Sequence, residues 1–351
     1  MQITDPGTLV AAIPRLLGFA PEHSLVAVWL QGGRIVLTQR VDLPLDPELI
    51  PLLRETGERS GADAVIPLVF SPDDEPGEGV VRTAFASQGI TVLSTIHVDG
   101  DRYHRMVGAD SMAGTVGPAH RARARAGLGG APAPSRDALA DRWRADPARQ
   151  RRIEASLVER EAELDAELPD ARSLEAWRDA AIEELESWLA EARRLRPPQW
   201  VALLIGLADV RVRDTLLWSI AQRDDVGRLL RLIEPGLRLA PAGYVAPLAS
   251  LIGLCCWLEG DGARAMIALD RACVDDPDYG LALLARSSIA SGIPPWAWRS
   301  MMRELPRERC RMPGPLADPD GDLLEFEAVK SVSAKPRLAG RQPSTAVGCS
   351  G

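Results

Sequence analysis

Lysine is almost missing from this chain. Of its 41 basic residues only Lys330 and Lys335 are lysines, and both stand near the C-terminus. A Schiff-base lysine, a phosphate-loop lysine or a kinase-type lysine is thereby all but excluded. Cysteine is scarce and odd in number: Cys255, Cys256, Cys273, Cys310 and Cys349. No CxxC pair occurs, and the first three lie in apolar helical sequence. Neither a disulfide framework nor a zinc site is expected from them. Also missing are GxSxG, GxGxxG after a predicted strand, GxxxxGK[ST] and HExxH. The longest nearly uncharged apolar stretch, "YVAPLASLIGLCCWL", contains Pro247 and falls short of the roughly 20 residues of a membrane span. The opening "MQITDPGTLV" has no basic segment followed by an apolar one, so a signal peptide is not expected and a cytoplasmic location is. A net charge of −8 works against non-specific nucleic-acid binding.

What remains is ordinary globular composition, 46% apolar and 26% charged, with room for about two domains. The arginine excess, with heavy Ala, Gly and Pro use, reads as coding from a GC-rich genome. Asp5-Pro6 is an N-cap followed by proline, and Leu9, Val10, Ile13, Leu16 and Leu17 recur at helical spacing up to Gly18. "SLVAVWL" (24–30) is a buried strand, "QGGR" a tight turn, and "IVLTQRVDL" (35–43) the return strand. Helix 46–61, strand 62–71, a further helix, strand 90–98 and a strand "RYHRMV" follow. Pro67 places the 62–71 strand at an edge or a bulge.

The alternation predicts an α/β domain over residues 1–107 with a mixed sheet and helices. Residues 108–134, rich in Gly, Ala, Pro and Arg, are expected to be a loop or linker. Residues 135–305 predict an all-α domain, with Ser135 or Asp137 as its first cap. Residues 306–351, rich in proline and glycine, are expected to be a disordered tail.

The strongest pattern lies at 246–279, "APLASLIGLCCWLEGDGARAMIALDRACVDDPDY". It resembles one tetratricopeptide repeat, with Gly253, Ala265, Leu269, Ala272 and Pro277 at the required spacing and Cys256 where a tyrosine is usual. A peptide groove there would involve Trp257, Arg264, Trp296 and Trp298; the plainer alternative is packing inside a helical bundle.

The segments "DPGTLVAAIPRLLGFAPEHSLVAVWLQGGRIVLTQRVDLP", "SRDALADRW", "DVRVRDTLLW" and "WLEGDGARAMIALDRACVDDPDYGLALL", with "SGIPPWAWR", resemble the actinobacterial family of domain of unknown function 4192 over most of residues 5–300. The resemblance implies kinship and no activity. Family members carry an aromatic-then-cysteine segment after the last strand. Here "GDRYHRMVGADSMAGTVG" has Tyr103 and no cysteine, so no role of such cysteines passes to this chain.

Three places carry candidate chemistry. In "IHVDGDRYH", His97, Asp99 and His104 could hold a metal. A Gly100-Asp101 turn sets His97 across from His104; an Asp99-Gly100 turn sets it across from Arg102. Otherwise this is a polar hairpin tip. Asp73, Asp74 and Glu75 follow a strand, where Mg²⁺ or helix caps are the alternatives. "HRARARAG" (120–127) could grip a phosphate or an acidic partner, or simply be solvated. "EHS" (22–24) reads as strand initiation rather than a Ser–His pair. The expected function is non-catalytic protein interaction or regulation, with no cofactor and an unidentified protein partner. The alternative is a metal-dependent or small-ligand enzyme with its site at the carboxyl edge of the sheet.

Overall fold

Local sequence signals set the first elements. In the computed structural model, which describes residues 5–46, 48–73, 78–86, 89–128, 131–191 and 194–311, helix α1 (Pro6–Leu17) begins where Asp5 accepts the Thr8 amide at 2.8 Å. It ends at Gly18 in the left-handed region, φ 78°. Strand β1 (Ser24–Gln31) turns through Gly32 and Gly33, both at positive φ, into antiparallel β2 (Arg34–Asp42). Helix α2 (Leu49–Arg59), β3 (Ala64–Phe70), α3 (Glu78–Phe85), β4 (Thr91–Val92), β5 (Thr95–Asp99), β6 (Arg102–Val107), β7 (Asp110–Thr115) and α4 (Pro118–Leu128) follow.

The sheet order is β2-β1-β3-β5-β6-β7, with β4 also beside β3. Strands β3 and β5 are parallel, and the other neighbours along that path are antiparallel. Alternation along each strand divides the core. Leu25, Ala27, Trp29, Val65 and Val69 meet α2 and α3 through Leu53, Val81 and Phe85. Val26, Val28, Leu68, Ile96 and Val98 belong to the core that includes Leu9, Val10 and Ile13 of α1. That second core runs on through Leu139 and Trp143 into the helices.

For Pro67 the edge alternative falls away and the bulge alternative holds, as a one-residue shift of pairing beside it; the linker expectation for 108–134 is corrected. Pro67 lies in the sheet interior, paired with Ala27 of β1. It is tolerated because β4 pairs with Ala64 and Val65 while β5 pairs from Leu68 onward. The neighbouring ladder is broken where proline has no N–H to give. Residues 108–134 are not simply a loop or linker, because they hold β7 and α4. Both escape pattern reading: β7 is an exposed edge strand, and α4 buries only Ala124. Helix α4 is held by close approach to α1, since a Cβ added to Gly7 would lie 2.7 Å from the His120 ring. Ala133 then pairs with the Gly18–Ala20 stretch, donating to Gly18 O (2.8 Å) and accepting from Ala20 N (2.9 Å).

The helical part comprises α5 (Arg136–Ala140), α6 (Pro147–Glu167), α7 (Ala171–Glu191), α8 (Pro197–Ala208), α9 (Val210–Ala221), α10 (Val226–Ile233), α11 (Val245–Leu258), α12 (Gly262–Asp275), α13 (Gly280–Ala290) and α14 (Pro295–Glu304). Ser135 caps α5, accepting from Ala138 N at 3.1 Å. Helix α11 is apolar all round and buried from Val245 to Trp257, so it forms the axis on which α8, α10, α12, α13 and α14 pack. Helices α11 and α12 form an antiparallel hairpin at Gly253, where an added Cβ would lie 2.8 Å from Leu269 Cγ and 3.2 Å from Ala265 O. A 3-10 turn, Arg307–Arg311, packs on α9 with Cys310 buried, so helical structure runs past residue 305. The rest of the expected tail lies outside the described residues.

Candidate functional site

A cleft opens at the carboxyl ends of the parallel strands β3 and β5, where open α/β sheets bind ligands. Its volume is about 570 Å³. Val10, Ala11, Pro14 and Arg15 of α1 form one wall. Phe70 and Ser71 after β3, and Val98, Asp99 and Asp101 around the β5 end, form the floor. Pro21, Glu22 and His23, leading into β1, supply a third side, and Val116, Arg121 and Pro132 supply a fourth. The body of the cleft is apolar, while Arg15, Arg121, Glu22, Asp99 and Asp101 bring charge of both signs. Arg121 pairs with Asp101 across it.

Helix α4 is fixed over α1 by a charged cluster. Gly117 N donates to His120 Nδ1 at 3.0 Å, so that nitrogen is the acceptor and Nε2 faces Asp5 Oδ1 at 3.5 Å. Burial works to raise the Asp5 pKa, but hydrogen bonds from Thr8 and the nearby His120 and Arg123 bring it below its ordinary 3.8.

Glu22 and His23 of the "EHS" segment line the cleft, and Ser24 does not. Ser24 is fully buried; its Oγ donates to Glu22 O (2.5 Å) and accepts from Arg40 Nε (2.9 Å). His23 is exposed, with φ 42°, the one non-glycine residue at positive φ among those described. Its carbonyl accepts from Leu43 N at 2.8 Å. The segment starts the strand, as the sequence indicates, and its histidine also lines the cleft.

His97, Asp99 and His104 are brought onto one sheet face. Asp99 pairs with Arg102 and His97 with His104, which is the register of a Gly100-Asp101 turn. They line a shallow depression of about 440 Å³ beside the cleft. His97 Nε2 lies 2.9 Å from Asp73 O. Among the described residues no three His, Cys, Asp or Glu side chains converge to hold a metal ion. Asp73 sits at the end of this region, while Asp74 and Glu75 lie outside the described residues.

The residues expected around Trp257 do not form an open groove. Trp257 is buried beneath Trp298, ring centroids 6.3 Å apart, because α11 is the axis of the helical array. Arg264 caps back onto Asp261 (2.7 Å) and faces Glu234 (3.5 Å), and Trp296 alone of the four is largely exposed. In "HRARARAG", Arg121 reaches the cleft and Arg123 lies 3.5 Å from Asp5. Burial pushes both adjoining thiols up, that of Cys256 to about 12, so neither is a nucleophile at neutral pH.

The segments that carried the family resemblance prove to be seams. Asp209 of "DVRVRDTLLW" caps α9, accepting from Arg211 N and Val212 N at 3.0 Å, and pairs with buried Arg178 of α7 at 2.9 Å. Trp143 of "SRDALADRW" donates to Glu234 at 2.9 Å, and its carbonyl accepts from Arg271 of α12. Arg136 reaches Asp270 at 2.8 Å. These contacts join the helices of the second half to one another.

Fold and cleft together define a two-part scaffold: a mixed α/β sheet with a small-molecule-sized cleft at its carboxyl edge, joined to a helical array. The chain belongs to the family described as Domain of unknown function (DUF4192), whose family model matches residues 6–296. No curated protein and no solved structure matches it. No helix among the described residues is long and apolar enough to cross a membrane.

Proposed function

We propose that the chain is a cytoplasmic, non-catalytic regulatory protein that binds a small organic molecule in the carboxyl-edge cleft. The observation that carries this reading is the cleft itself: about 570 Å³, within the range of ligand sites, at the ends of parallel strands, with an apolar body and charged ends. The ligand it fits has an apolar body and polar groups of both signs. Binding rather than turnover is favoured because the serine beside the cleft and one arginine of its lining are already engaged. Ser24 is held by Glu22 and Arg40, and Arg121 by Asp101.

The helical part then serves as the partner-facing half. Its α11–α12 hairpin supports kinship with tetratricopeptide units through the Gly253–Leu269 approach, used here for packing. The arginine-for-lysine bias and the family segments support an actinobacterial origin. The test is a thermal-shift screen with small zwitterionic and amphipathic metabolites. Ligands that raise Tm for the parent protein and fail to do so for Arg121→Ala support the reading. Equal shifts in both proteins, or none across the screen, count against it.

A further inference from the structure

A second concavity lies in the helical half, separate from the cleft. Helices α6 and α7 both rest on α8 but barely touch each other, leaving a slot of about 490 Å³ between them. Val201, Ala202 and Ile205 of α8 form its floor, and Leu164, Trp177 and Leu185 form its walls. Small residues, Ala180 and Ala181, keep it open. The lining positions repeat at helical spacing on each element: 160 and 164 on α6, 177, 181 and 184 on α7, 198, 201 and 205 on α8. Such a trough has the shape left when one helix of a four-helix arrangement is withdrawn.

The rim is net acidic. Glu159, Glu163 and Glu184 border the slot. Arg160, the basic residue among the described lining, is already held by Glu163 (2.8 Å) and Glu167 (3.0 Å). Its positive charge is spent locally, so the rim presents net negative potential above an apolar floor.

We propose that this slot receives an amphipathic helix of a partner protein, with apolar anchors at i, i+3 or i+4 and i+7 and lysine or arginine along both flanks. Charge complementarity selects that occupant. The acidic rim repels the more common acidic surface helix, and the apolar floor rejects a simple basic coil.

The test uses the full chain and a fluorescent, amidated model helix of about 18 residues, roughly five turns, with leucine at the anchor positions and lysine elsewhere. A twin peptide carries glutamate in place of lysine. Fluorescence anisotropy is expected to show the lysine peptide binding at least about tenfold more tightly than its twin. Glu159 and Glu184 are exposed, so the double variant Glu159→Lys/Glu184→Lys keeps its fold, checked by thermal melting, and is expected to reverse that preference. Ala181→Trp is expected to remove binding of both peptides, and Glu55→Lys on distant α2 to change nothing.

An unchanged lysine preference in the double variant would mean attraction to overall negative charge and would overturn the proposal, as would absence of binding below about 1 mM. Self-association abolished by the double variant would put a second copy in the slot. Displacement of the probe by a synthetic peptide of residues 312–351 would put the chain's own tail there. Either result also overturns it.

Discussion

The Arg178 guanidinium lies 2.9 Å from the Asp209 carboxylate, with 6% and 4% of their side chains exposed. Burial opposes the Arg178 charge, but Asp209 and Glu175 offset it and leave its pKa raised. The same carboxylate caps α9, so one side chain starts a helix and neutralises a buried cation on its neighbour. Asp209→Ala removes both contacts and leaves the buried Arg178 with Glu175 as its remaining carboxylate. The expected loss is about 3–5 kcal/mol in urea unfolding. Asp209→Ser keeps a cap without the charge and should fall between the two proteins.

Asp5 carries a pH signature. Its folded pKa is below 3.8, so its charge contributes stability that is fully present above the unfolded value and lost as pH falls through the folded one. Asp5→Asn keeps the cap and removes the charge. The variant should be less stable than the parent by about 0.5–1 kcal/mol at pH 7. The difference should shrink as pH falls below 3.8 and through the folded value of Asp5. Melting curves across that range check it; a constant difference would mean that the charge is not responsible.

At Gly253 helices α11 and α12 approach closely. An added Cβ must displace Leu269 or the Ala265 carbonyl region. Gly253→Ala gains helix propensity worth about 1 kcal/mol and overpacks by about 1–3 kcal/mol. Gly253→Val should be worse. Tm is expected to fall in the order Gly, Ala, Val.

Thiol mapping reads the helical core. Cys255 and Cys256 are buried with raised pKa, whereas Cys273 is partly exposed. Brief treatment of native protein with iodoacetamide at pH 8, followed by peptide mass mapping, should modify Cys273 and spare the adjoining pair. Denaturant should expose all three.

The α/β half was legible because its strands carry their own signals: the apolar run of β1, the Gly32-Gly33 turn, and the Asp-Pro start of α1. The hairpin register of His97 and His104 was narrowed to two choices, and the turn decides between them. Residues 108–128 were not legible as β7 and α4, since an edge strand and a helix with one buried residue leave no apolar period. The Gly253, Ala265 and Leu269 spacing correctly marked a close helix pair. It did not mark a groove, because a helix apolar on every side goes to the centre. No contiguous segment carries the signature of the cleft. Its walls come from α1, the turn before β1, the ends of β3 and β5, α4 and Pro132, and only the fold brings them together. The local hints were scattered residues: Glu22 and His23 of "EHS", Asp99 of "IHVDGDRYH" and Arg121 of "HRARARAG".

The most direct test of the cleft is native mass spectrometry of the full chain after equilibration with a small-molecule extract of its host. Ala11→Trp, which fills the cleft from the α1 wall, serves as the matched control once its melting shows it folded. The parent chain is expected to retain at least one small molecule that the variant does not. Retention of nothing, or of the same molecules by both proteins, would contradict a ligand site at the carboxyl edge of this sheet.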